Sequence, residues 1–282
     1  MEVVPGTGAV EIRPLGTGLI SATYRVVRNG VIYALKTAAE RSPDLGLSFA
    51  WEAPLLTHAS SLKLAPPLVY CDLQRAVTVS RWVAGRPWST EAVHRPANLH
   101  RITELLRRVH ALSVPAPPRL MSPLSWVDVY GAALARIGCP ADTTLRIAAD
   151  SRWRQLSRLP PGACVVCHSD LHRMNLIQDG EVLTLLDWEY AHVSDPSWDL
   201  AGWAANNDFE AQARRELLSS YLGAAPSEPQ WMRLGLLMWL YDYVCLLWSE
   251  LYLNTRTGGA NEITRRATLL DARLRLPAHY WP

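Results

Sequence analysis

The chain has 282 residues, 49% of them hydrophobic and 19% charged, with a net charge of +2. That length allows a buried core and two lobes, the composition argues against long disorder, and the charge is too small to mark a nucleic-acid binder. No uninterrupted apolar run approaches the roughly 18 residues of a membrane span, and residues 1–14 lack a secretory pattern, so a cytoplasmic protein with no membrane partner is expected.

The N-terminal part alternates like strands over 10–15, 22–28 and 31–37, with Asn29-Gly30 as a two-residue hairpin turn. Gly16 and Gly18 fall between the first two strands, where they suit a phosphate-covering loop, although no third glycine completes G-x-G-x-x-G. The third strand carries Lys36 near its end. A helix is expected over about 43–62, where Glu52 is the only acidic residue after Asp44, followed by strands over 68–71 and 76–80. Residues 81–87, Arg81-Trp82-Val83-Ala84-Gly85-Arg86-Pro87, read as a connector, dividing the chain into lobes at 1–80 and 88–282.

From 97 onward the pattern is helical. Leu99, Ile102, Leu105, Leu106, Val109 and Leu112 recur at three- and four-residue steps, which places His110 on a core-packing helix. A proline-rich break at 114–118 precedes helices around 126–137 and 142–159, and Pro160-Pro161-Gly162 introduces a short strand.

That strand leads into Cys167-His168-Ser169-Asp170-Leu171-His172-Arg173-Met174-Asn175, then an Asp179-Gly180 hairpin turn and Leu185-Leu186-Asp187. The spacing H-x-D-x-x-x-x-N followed by an apolar-apolar-Asp step is that of a phosphoryl-transfer loop. Such chemistry needs a carboxylate to orient a hydroxyl, here Asp170, and oxygen ligands for Mg²⁺ on the triphosphate, here Asn175 and Asp187. His168 is expected to fix the loop from beneath. Asp195 and Asp199 are expected to secure the loop and cap the next helix.

Cys164-Val165-Val166-Cys167-His168 also matches the C-x-x-C-H pattern of haem attachment. Val165-Val166 reads as a buried strand and His168 belongs to the loop, so haem or zinc is not expected. The five cysteines suggest reduced, mostly buried thiols.

The run Leu186-Asp187-Trp188-Glu189-Tyr190-Ala191, continuing to Asp195-Pro196-Ser197-Trp198-Asp199-Leu200-Ala201, resembles the choline/ethanolamine kinase branch of the aminoglycoside-phosphotransferase-like kinases, which also includes bacterial thiamine kinases. The resemblance implies an α+β, bilobal, protein-kinase-like fold: an N-terminal sheet lobe with one main helix and a larger, mostly helical C-terminal lobe. It implies ATP between the lobes, Lys36 on the α/β-phosphates paired with Glu52, glycines Gly16 and Gly18 over the phosphates, and adenine on the backbone of Arg81, Trp82 and Val83. The acceptor it implies is a small hydroxyl-bearing metabolite, choline first, thiamine second, an aminoglycoside or sugar third. Bacterial members usually carry Pro-Gly or Ala-Gly before the Asn, whereas Arg173-Met174 stands here; a nucleotide-binding pseudokinase without turnover is the rival that this departure suggests.

The acceptor site is expected on a helix spanning 236–252. At about 100° per residue, Trp239, Tyr243 and Glu250 share one face with Asp242 beside it, and Tyr241, Trp248 and Tyr252 line the other. The first face, with Glu189, is expected to hold a cationic acceptor through cation–π and charge contacts.

Overall fold

A computed structural model describes residues 4–17, 21–39, 42–255, 260–276 and 279–280. Strands β1 (Val10–Thr17), β2 (Ser21–Arg28) and β3 (Val31–Ala38) run antiparallel, and the β2–β3 turn uses Asn29 and Gly30, both at positive φ. Two positive-φ residues give the turn the twist that matches its strands. Helix α1 (Phe49–Ser61) follows, and strands β4 (Leu68–Asp72) and β5 (Val77–Arg81) complete a sheet of order β1-β2-β3-β5-β4. Val26, Tyr33 and Val79 form its small buried core.

The helix expected over 43–62 is divided. A single 3-10 turn covers Ser42–Leu45, Gly46 follows at φ +79°, and the α-helix begins only at Phe49. A residue in the left-handed region ends a right-handed helical path, and Gly46 adopts it without a Cβ penalty.

The connector enters the second lobe through β6 (Arg86–Pro87), which pairs with β8 (Leu176–Asp179). Gly85, at φ +103°, passes so close that an added Cβ would sit 2.1 Å from the Gln178 carbonyl oxygen. Beyond it come α2 (Thr90–Val93), α3 (Pro96–His110), α4 (Pro123–Arg136), α5 (Thr143–Leu156) and β7 (Val165–Cys167). After β8 come β9 (Val182–Leu185), which forms a hairpin with it, and β10 (His192–Ser194), which pairs with β7. Helices α6 (Ser197–Asn206), α7 (Ala211–Leu222), α8 (Glu228–Thr255) and α9 (Ala260–Leu274) complete the lobe.

Helix α8 is apolar around its whole circumference, and such a helix is buried on all sides. It is long and apolar enough to cross a membrane by length and composition, but 78% of its most apolar window is buried inside the protein. It packs against α4, α5, α6 and α9 as the axis of the core.

One side of α8 is tied to the C-terminal segment. Trp239 is buried and its Nε1 donates to the Leu274 carbonyl at 3.1 Å. Asp242 accepts from Arg273 and, at 2.5 Å, from the Tyr280 hydroxyl. Removing one partner of a buried ion pair leaves the other desolvated, at a cost of about 3–5 kcal/mol. Asp242→Ala is therefore expected to lower denaturant stability by roughly that amount, with acceptor KM unchanged; a shifted KM at unaltered stability would contradict this placement.

Candidate active site

The loop between β7 and β8 is fixed before any ligand arrives. Asp199, in the first turn of α6, accepts from the backbone N–H of His168 at 2.8 Å and of Ser169 at 2.7 Å. His110 Nε2 meets the same carboxylate at 3.1 Å, and His110 Nδ1 meets the Tyr221 hydroxyl at 2.7 Å. Asp199 is buried, which by itself would raise its pKa, but these donors hold it below the ordinary value. The anchored loop carries Ser169 at φ +70°, the bend that swings Asp170 into the cleft.

His168 ties that loop to the segment before Asp187. Its Nε2 lies 2.7 Å from the Leu186 carbonyl, and its Nδ1 accepts from the Asp170 N–H at 3.3 Å. These partners define a neutral tautomer, and burial depresses its pKa. Neither ring nitrogen is free to bind haem or metal. Cys167 is buried in β7, whereas Cys164 lies outside the strand and is exposed, contrary to the expectation that both pack within it. All five cysteines are free thiols.

Asn175 donates through Nδ2 to the Asp170 carbonyl at 3.0 Å and to Asp170 Oδ2 at 2.8 Å. Both amide hydrogens are thereby engaged, leaving Oδ1 as the side-chain atom able to ligate a cation. The Leu186 N–H donates to the Asn175 carbonyl at 2.8 Å, so Asn175 and Asp187 lie at the same end of the β8–β9 hairpin. Asp187 sits at φ +56° and its side chain is 46% exposed, open to the cleft. An amide oxygen and a carboxylate suit a hard cation such as Mg²⁺. The Met174 backbone is not in the positive-φ region, so a glycine is not required there, and Arg173–Asn175 form an unstrained 3-10 turn.

Lys36 projects from β3 into this corner but does not pair with Glu52. Its Nζ lies 2.6 Å from Glu189 Oε2 and 2.9 Å from Asp187 Oδ1. Burial alone would lower the Lys36 pKa; Glu189, Asp187 and the more distant Glu52 outweigh it and hold the group well above its ordinary value. The left-handed turn at Asp187 folds Glu189 back under β3, which puts it ahead of the residue from α1. Glu52 is buried beside them, and burial pushes it up to about 7 against the opposing charge of Lys36.

Two cavities open from this corner. The first, about 380 Å³, lies between the sheet and the second lobe and is lined by Leu15, Ala34, Lys36 and Glu52, by Arg81, Trp82, Val83 and Gly85 of the connector, and by Ile177, Leu186 and Asp187 below. The Arg81 and Trp82 N–H groups are engaged by the Pro67 and Ile32 carbonyls, whereas the Val83 N–H makes no hydrogen bond among the described residues. Gly16 lies in β1 next to Leu15 of this lining, one residue before the strand ends, and Gly18 lies outside the described residues.

The second cavity, about 210 Å³, lies on the other side of Asp170 and Glu189. Its walls are aromatic: Trp126, Tyr130, Tyr190, Trp198, Tyr241 and Trp248, with Arg266 at the rim. Helix α8 thus presents Tyr241 and Trp248, while Trp239, Asp242, Tyr243 and Glu250 do not line the cavity. Those four fall on the side held by α5 and the C-terminal segment, so the rotation of α8 is opposite to that expected. Because apolar residues fall on every side of α8, periodicity carries no signal for its rotation. Trp126 and Tyr130, one turn apart on α4, and Arg266 on α9 were not singled out by the sequence, because each reads there as an ordinary helical residue.

A two-lobed fold with a nucleotide-sized cleft beside an Asp–Asn–Asp corner defines a small-molecule kinase of the protein-kinase-like type. The chain belongs to the phosphotransferase enzyme family, whose model matches residues 11–235. A choline/ethanolamine kinase family protein from Mesorhizobium loti superposes with TM-score 0.74 at 22% identity, over 96% of this chain and 90% of that one. Choline kinase LicA from Streptococcus pneumoniae gives TM-score 0.74 at 19% identity, over 90% of this chain and 89% of that one. A thermostable mutant of aminoglycoside phosphotransferase APH(4)-Ia, solved with AMP-PNP and hygromycin B, gives 0.62 at 16% identity over 93% and 94%. No curated protein sequence matches.

Proposed function

We propose that the protein moves the γ-phosphate of ATP to the hydroxyl of a small amino alcohol of the choline and ethanolamine class held in the aromatic cavity. The observation that carries this is the position of Asp170. Its carboxylate lines the aromatic cavity, while Asn175 links it directly to the metal-ligand corner. A hydroxyl bound there would lie between an orienting carboxylate and the phosphate cleft.

Asp170 is held ionised, at about 2. Burial would raise it, but His172, with Nε2 3.6 Å from Oδ2, and the charge of Arg266 prevail. So weak a base orients the acceptor hydroxyl and takes its proton late, as a loose phosphoryl-transfer transition state requires. The Asn175 amide oxygen and the Asp187 carboxylate would hold Mg²⁺, which supplies charge neutralisation across the phosphates. Lys36, released from Asp187, would reach the phosphates while Glu189 retains it. The Val83 backbone would meet adenine.

Aromatic rings with the Asp170 and Glu189 carboxylates beside them suit an ammonium group. Thiamine remains the next acceptor on the same chemistry. An aminoglycoside is less well served: among the described residues only those two carboxylates line the cavity, and Glu189 is already paired with Lys36. The pseudokinase alternative loses its support with the unstrained backbone at Met174.

The test is a comparison of the two faces of α8. A desolvated cation–π contact is worth about 2 kcal/mol, roughly thirtyfold in affinity. Tyr241→Leu or Trp248→Leu is expected to raise acceptor KM by tens of fold with ATP KM near wild type. Trp239→Leu should lower stability and leave acceptor KM alone. The reverse pattern would move the acceptor to the other face.

A further inference from the structure

The aromatic cavity carries a positive charge that an ammonium group alone would leave unused. Two carboxylates line it. Glu189 is paired with Lys36 at 2.6 Å, and Asp170 is bonded to Asn175 at the reacting end. The basic groups that line the same cavity are Arg266 and His172.

Several arginines of the second lobe are ion-paired, and Arg266 is not among them. Arg146, Arg233, Arg273 and Arg275 each hold at least one aspartate. Among the described residues no carboxylate lies within ion-pair distance of Arg266. Its Nη2 donates to Asn206 Oδ1 at 2.8 Å, and Asn206 in turn donates to the Leu171 carbonyl at 2.8 Å and the Tyr241 hydroxyl at 2.9 Å. The guanidinium is thus positioned by the last residue of α6, and through it by the Asp170 loop and the cavity wall. A guanidinium has five N–H donors in a fixed fork, and Asn206 together with the Cys245 side chain takes only part of that capacity. A cation fixed at the rim pairs with an acceptor that carries an oxyanion beside its ammonium group.

We propose that the acceptor is a compact hydroxylated zwitterion or acid whose oxyanion, carboxylate or phosphate, is bound by Arg266 while its hydroxyl lies at Asp170. This rests on the aromatic cavity being the acceptor site, as proposed above, and names the class of molecule it takes. The small cavity and the placement of both groups in its walls limit the acceptor to a few carbons between hydroxyl and oxyanion. Asn206 is a positioning residue for Arg266.

The test is binding of matched ligands to the full chain, followed by calorimetry without ATP, so that it does not depend on turnover. The pairs are carnitine against choline, serine against ethanolamine, and glycerol phosphate against glycerol. A charge-assisted hydrogen bond contributes enough for a preference on the order of tenfold to a hundredfold for the acidic member of a pair. A preference in the first two pairs assigns a carboxylate, and one in the third alone assigns a phosphate. Arg266→Gln should abolish the preference, and Arg266→Lys, which keeps the charge but not the fork, should retain part of it. Equal or tighter binding of the acid-free members would overturn the proposal, as would a preference indifferent to Arg266 or no binding by any member. If an acid-dependent preference appears without ATP-dependent phosphorylation, this inference stands and the kinase reading falls. If acid-free alcohols are phosphorylated whether or not Arg266 is present, the kinase reading stands and this inference falls.

Discussion

Replacing Asp170 by Asn is expected to lower kcat at least about a hundredfold, the scale of a general acid–base contribution, and to leave ATP affinity near its wild-type value. The amide keeps the size of the carboxylate but offers neither its charge nor a proton acceptor. The Asn175 contact at 2.8 Å would be met by the amide oxygen, so the loop should retain its shape. Steady-state kinetics with separate ATP titration reads both quantities. Near-normal turnover would remove Asp170 from the chemistry. A parallel fall in ATP affinity would mean that the substitution had disturbed the metal corner instead.

Asp187→Ala is expected to abolish the Mg²⁺ dependence of nucleotide binding. In the structure this carboxylate accepts from Lys36 at 2.9 Å and is half open to the cleft, leaving lone pairs for a metal. Without it, Asn175 Oδ1 is the remaining side-chain ligand of the proposed pair, and one neutral oxygen holds a divalent ion poorly. Calorimetric titration of nucleotide with and without Mg²⁺ measures the effect. Unchanged Mg²⁺-ATP affinity would count against a ligand role for Asp187. Thermal stability should fall only modestly, since a half-exposed carboxylate contributes little to folding and Lys36 keeps Glu189 as its partner.

The elements most legible in the sequence were those set by local chemistry. Asn29-Gly30 specified the β2–β3 hairpin, and the three- and four-residue steps of Leu99 to Val109 specified α3. The spacing of Asp170, Asn175 and Asp187 placed the three on one loop-and-hairpin unit, and the structure brings them to one corner. Legibility failed where long-range geometry decides. The partner of Lys36 depends on the left-handed turn at Asp187, which sends Glu189 beneath β3; nothing in the sequence near Glu52 reveals that competitor. The rotation of α8 depends on which neighbours cover it, and a helix with apolar residues on every side has no polar stripe to show them. Asp242 read as a candidate for an ammonium group and instead holds Arg273 and Tyr280, residues about thirty or more positions away. The Arg173-Met174 departure raised a question that only backbone angles could answer, and the turn proves ordinary.

The most direct measurement of the central claim is ATP consumption by the purified protein over choline, ethanolamine, thiamine, carnitine, serine, aminosugars and aminoglycosides, with product mass determined for each. A small amino alcohol, with or without an acidic group, should stimulate ADP release and gain one phosphoryl group, and Asp170→Asn should remove that product. ATP bound with Mg²⁺ but never transferred to any alcohol, or transfer to neutral sugars indifferent to Tyr241 and Trp248, would contradict the account.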